Sequence, residues 1–201
     1  MILRYSVLLV ISLSFSSPLL YAQTLFVAKN QNKFGTAFEW LNTNTNTSLV
    51  ICPSFTYRGI LTARACVGYQ NGKQNNLEGT TSSIGLELML RRAQKAKQLG
   101  ISLESIFTRM IYLESGTKYT PSKNYWSKAK VYTLLGNADR WNFYPIASLG
   151  IYRRNVGLTQ ASSSVMPGLG LGLSKSNIFL SLNLDFVQKS TRNVLSIGFF
   201  L

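Results

Sequence analysis

The sequence predicts an all-β fold, an antiparallel up-and-down transmembrane β-barrel of about ten strands (8–12). Three observations predict it. Apolar residues alternate with polar or small ones in segment after segment, with no convincing amphipathic helix between them. Clusters of Asn, Gly, Ser, Thr and Lys separate these segments, and longer connections tend to alternate with tight ones. The second face of the strands carries glycine and charges of both signs.

Composition sets the outer bounds. The chain has 201 residues, a net charge of +14, 46% hydrophobic and 14% charged residues, and no histidine. It is too apolar for a disordered basic tail. The lack of histidine removes His bases, His-assisted nucleophiles and His metal ligands, so neither an enzyme nor a bound cofactor or metal is expected.

Residues 1–22 read as a secretory signal, with Arg4 as the positive start, Val7 to Leu13 as the apolar run, and Pro18 opening a short segment that ends at Ala22. The run is shorter than the ~20 residues of a spanning helix. Export argues against a nucleic-acid partner despite the charge. Residues 23–201 are then one barrel domain.

Strands are expected near 33–42, 48–57, 61–70, 81–92, 101–114, 126–136, 141–153, 165–174, 177–187 and 193–201. In the third, Leu61, Ala63, Ala65, Val67 and Tyr69 oppose Thr62, Arg64, Cys66, Gly68 and Gln70. In the fourth, Ile84, Leu86, Leu88 and Leu90 oppose Gly85, Glu87, Met89 and Arg91. The fifth carries one exception, because Arg109 shares parity with Leu103, Phe107, Ile111 and Leu113. Either a bulge shifts its register or its side chain snorkels to an interface. The eighth sets Val165, Pro167, Leu169, Leu171 and Leu173 against Met166, Gly168, Gly170, Gly172 and Ser174. The ninth is the cleanest, with Ile178, Leu180, Leu182, Leu184 and Phe186 on one face.

A one-sided apolar strand fits two environments, a soluble core or a lipid-facing wall around a polar lumen. The second face favours lipid. Glycine would weaken a solvated surface strand without return, whereas inside a narrow barrel it makes room for large side chains opposite. Phe34, Trp40, Tyr57, Tyr69, Trp141 and Phe143 lie on or near the apolar parity at strand ends, as interfacial girdles require.

The last strand alternates Leu195, Ile197, Phe199 and Leu201 to the final residue. This resembles the terminal signal that the barrel-assembly machinery reads in bacterial outer-membrane proteins, although that family prefers Phe where this chain has Leu201. With the export signal and the strand ladder, the chain resembles the small outer-membrane β-barrels of the OmpX, OmpW and OmpA-domain (porin) kind. The resemblance implies a fold and an outer-membrane address, with turns facing the periplasm and loops facing outward. It transfers no activity.

The expected lumen charges are Glu39, Glu87, Glu104 and Asp185 against Arg64, Arg91, Lys128 and Lys130. Balanced charge in a narrow space predicts ion pairs that fill it. Pairing Gln70 with Thr81 across their loop would set Arg64 opposite Glu87. Tyr57 paired with Leu61 across Arg58, Gly59 and Ile60 places Cys52 opposite Cys66, within reach of a disulfide that an oxidising compartment favours. Two buried free thiols are the alternative. On the loop side, Lys73, Lys118, Lys123, Arg154, Lys189 and Arg192 would meet lipopolysaccharide phosphates or simply remain solvated. The functional expectation is a structural barrel, or one that contacts lipopolysaccharide or an external partner through its loops. The alternatives are a narrow channel and a secreted soluble barrel that carries an apolar ligand.

Overall fold

Ten long antiparallel strands close into a barrel in the computed structural model, which describes residues 27–73, 78–93, 96–114, 117–118, 122–136, 141–156, 162–187 and 190–200. The expected export signal, Leu201, Lys95 and Lys189 lie outside the described residues. The strands are β1 (Lys33–Asn42), β2 (Asn46–Tyr57), β3 (Leu61–Gly72), β4 (Glu78–Arg91), β5 (Leu99–Glu114), β7 (Ser122–Thr133), β8 (Asn142–Val156), β9 (Ser162–Lys175), β10 (Ile178–Val187) and β11 (Ser190–Phe200). A two-residue strand, β6 (Thr117–Lys118), pairs antiparallel with the end of β5. Each long strand pairs with its neighbours in sequence, and β1 pairs with β11 to close the ring. Closure leaves no free edge among the long strands, as a strand-built membrane span demands.

Local chemistry sets the hairpins. The turn after β2 has positive φ at both Arg58 (50°) and Gly59 (62°), and Ile60 N–H donates to Tyr57 C=O at 2.9 Å. Positive φ at both central residues is the mirror-image turn whose twist matches that of the flanking strands. It pairs Tyr57 with Leu61. The next connection is tighter than expected, pairing Asn71 with Glu78 and Gln70 with Gly79. Arg64 therefore stands opposite Gly85, and Glu87 opposite Thr62, which corrects the expected Arg64–Glu87 pairing by two residues while keeping the same face.

Burial decides which face is inside. Ile84 and Val165 are each 63% exposed and Leu49 61%, whereas Glu39, Glu87 and Glu104 are each 5% exposed and Asp185 1%. Apolar side chains cover the outer wall and ionisable ones fill the interior, the reverse of a soluble β-barrel. A wall this apolar needs lipid around it, so the soluble-carrier alternative does not fit the fold. Leu195, Ile197 and Phe199 lie on the outward face of the closing strand, where Ile197 pairs with Phe38 and Phe199 with Thr36.

Arg91 is a correction. The register of β4 against β5 slips between Met89 and Arg91, and Arg91 is exposed instead of facing the lumen. An extra residue in one strand reverses the parity of the residues beyond it. Beside Arg91, Arg92 folds back to donate to the Gly59 carbonyl. No such slip occurs at Arg109, which pairs in continuous register with Ser82 on one side and Lys123 on the other. Its exposed side chain sits one ladder pair from the loop end of the β5–β7 pairing, so position rather than a bulge accommodates it.

Candidate functional site: a stoppered lumen with a cavity at the loop end

The lumen divides into three levels. At the turn end, Val27, Ala37 and Phe179 pack in one apolar cluster, and Met89, Ala93, Tyr132, Tyr144 and Ile146 in another. Glycine makes both possible. A Cβ on Gly198 would lie 2.2 Å from the Phe179 ring, and one on Gly100 would lie 2.0 Å from the Tyr132 ring. These aromatics therefore sit against bare backbone and help fill the turn end of the lumen.

At mid-depth the charges join into one network. Arg64 Nη1 lies 3.0 Å from Glu39 Oε1, and its Nη2 lies 3.0 Å from Glu104 Oε1. Glu104 also meets Lys130 at 3.2 Å and Lys128 at 3.6 Å. Lys130 continues to Glu87 at 3.0 Å, and Lys128 to Asp185 at 3.2 Å. Asp185 accepts from Arg192 Nη1 at 2.9 Å. The network balances four carboxylates against four cations and draws on β1, β3, β4, β5, β7, β10 and β11. Buried charges are tolerable only when paired and hydrogen-bonded in this way. Ser102 adds a donor to Glu87 at 2.9 Å.

Seven of the eight expected lumen charges lie in this network, with Arg192 in the place expected for Arg91. The signal for Arg192 was present. It shares parity with the inward residues Val194 and Ser196, but it falls one residue before the expected strand start. The same applies to Arg154, which continues the inward series of Gly150 and Tyr152 beyond the expected end of its strand. Two of the expected loop cations thus belong to the lumen.

Cys52 and Cys66 lie inside the barrel wall, 2% and 4% exposed, with Cα atoms 4.1 Å apart and sulfurs joined. They share an apolar cluster with Val50 and Phe179.

Towards the loop end the lumen opens into a cavity of about 490 Å³. Arg64 and Glu39 of the network line it, and Ile106, Trp126 and Met166 form an apolar patch of its wall. The Arg192 guanidinium carbon sits 4.5 Å from the centre of the Trp126 ring.

Outside the barrel near the same end, Arg109 and Lys123 are ladder partners, and exposed Arg153 lies diagonally from Lys123 on β8. None of the three makes an ion pair among the described residues.

No family model and no curated protein matches the chain. Among solved structures it is similar to KdgM porin, with 9% identity, 82% of this chain and 98% of that chain covered, and a TM-score of 0.39. It is also similar to Ail, the attachment invasion locus protein of Yersinia pestis, with 12% identity, coverage of 87% and 100%, and a TM-score of 0.39. A third likeness, to the CymD monoaromatic hydrocarbon channel, has 8% identity, coverage of 86% and 88%, and a TM-score of 0.25. The barrel assignment rests on the strand registers and the burial pattern of the chain itself.

Proposed function

We propose that this chain is an integral protein of a bacterial outer membrane, closed to solute flow, that acts at its outward-facing end by contact with lipopolysaccharide. The observation that carries the reading is the cluster of Arg109, Lys123 and Arg153 on the outer wall at the loop end. Three cations without carboxylate partners among the described residues, above a band of exposed Ile84, Ile151 and Val165, suit an amphiphile with phosphate groups over acyl chains. The barrel-assembly machinery is the proposed route of insertion, supported by the outward series Leu195, Ile197 and Phe199 on the closing strand. Purification from outer membranes, with heat-modifiable mobility in detergent, tests the address. Bound lipopolysaccharide is then quantified for the native chain and for the Arg109→Gln, Lys123→Gln, Arg153→Gln triple variant. Loss of lipopolysaccharide with unchanged mobility is the expected result, and equal retention refutes the contact.

A narrow channel is the second reading, favoured by the cavity that reaches from the loop end to Arg64. Planar-bilayer recordings separate the two. A barrel with ionic and aromatic stoppers in series gives no discrete conductance steps, and reproducible steps establish the channel.

A further inference from the structure

We infer that the loop-end cavity is a binding site for a small organic anion, a carboxylate carried on an apolar or aromatic body. The inference is independent of the lipopolysaccharide contact, which lies on the outer wall.

Size is the first argument. About 490 Å³ falls within the range of small-molecule sites, roughly 300–1,000 Å³, and the ion-pair network begins at its Arg64 and Glu39 wall. Charge is the second. Arg64, Arg154 and Arg192 line the cavity, and the only carboxylate in its wall among the described residues is Glu39. Glu39 is already held by Arg64 at 3.0 Å, while Glu104 and Asp185 do not line the cavity. The network as a whole is neutral, but it turns its arginines towards the open side.

Donor capacity is also left unused. Asp185 fixes Arg192 through Nη1, and a guanidinium has five N–H donors. Arg154 makes no ion pair among the described residues and stands exposed near the rim, with Asn124 and Ser162 as its ladder partners. Two guanidinium groups, one anchored and one at the rim, suit a carboxylate, whose paired oxygens match the guanidinium fork. Ile106, Met166 and Trp126 supply the apolar wall against which the rest of such a molecule packs. Trp126 is also a reporter, since its indole N–H is buried without an acceptor among the described residues and Arg192 covers its ring.

The test uses the full barrel in lipid nanodiscs with ¹⁵N-labelled tryptophan. Benzoate is titrated as the probe, with benzamide and inorganic phosphate as comparators, and the Trp126 indole signal is assigned from Trp126→Phe. Saturable movement of that signal by benzoate is expected, with benzamide and phosphate each binding much more weakly. Arg154→Gln, at an exposed position that leaves folding intact, weakens benzoate about tenfold through loss of one charge-assisted hydrogen bond. A signal that benzoate does not move, equal binding of benzamide, equal binding of phosphate, or an Arg154→Gln variant of native affinity each overturns the inference.

Discussion

Arg64 and Glu104 are joined across an intervening strand. Arg64 Nη2 lies 3.0 Å from Glu104 Oε1 although β4 runs between β3 and β5. The ladder partner of Arg64 on β4 is Gly85, where a Cβ would lie 3.0 Å from Arg64 Nε. The guanidinium reaches past a position that has no side chain. Glu104 then holds Lys128 and Lys130 as well, so one carboxylate stabilises three cations.

Glu104→Gln should therefore destabilise the barrel more than any other single neutralisation in the lumen. It removes the shared partner of three buried cations, and breaking a buried ionic arrangement costs about 3–5 kcal/mol. Glu39→Gln should cost less, because Glu39 is bound only to Arg64 within the network. Urea unfolding in lipid vesicles compares the two, and equal losses refute the central role of Glu104.

Gly100→Ala places a methyl group 2.0 Å from the Tyr132 ring. Overpacking of this kind costs about 1–3 kcal/mol. Tyr132→Leu in the same chain should recover part of the loss by removing the ring. The double variant, unfolded beside each single one, provides the check, and simple additivity defeats the explanation.

The Cys52–Cys66 bond closes a short loop, with 14 residues of sequence separation. Exported protein alkylated without reductant should carry no label, and two labelled cysteines in mass spectrometry would exclude the bridge. Reduction should lower stability by about 3 kcal/mol on the loop-entropy relation.

The two-residue correction between β3 and β4 is open to direct measurement. Ala65 pairs with Ile84 on the outer wall. In a chain with Cys52 and Cys66 replaced by serine, Ala65→Cys with Ile84→Cys should crosslink under mild oxidation. Ala65→Cys with Leu86→Cys should not, and the opposite outcome restores the pairing expected from the longer loop.

Much of this protein is legible from a period of two. The alternation from Ile178 to Phe186, the glycines that oppose bulky side chains, the ten long strands and the Cys52–Cys66 register come from local spacing and one short turn. Strand parity is a property of neighbouring residues, so the sequence by itself determined which side chains share a face. The glycines and mixed charges of the second face marked it as the inner one, but alternation alone does not settle the point, because a soluble core and a lipid-facing wall impose the same alternation. Closure decided that, along with the exclusion of Arg91 by a bulge and the recruitment of Arg192 and Arg154 from just beyond the expected strand ends. The joining of Arg64 to Glu104 across Gly85 lay further out of reach. Partners within a lumen are set by the stagger of all ten strands together, and that stagger exists only once the ring has closed.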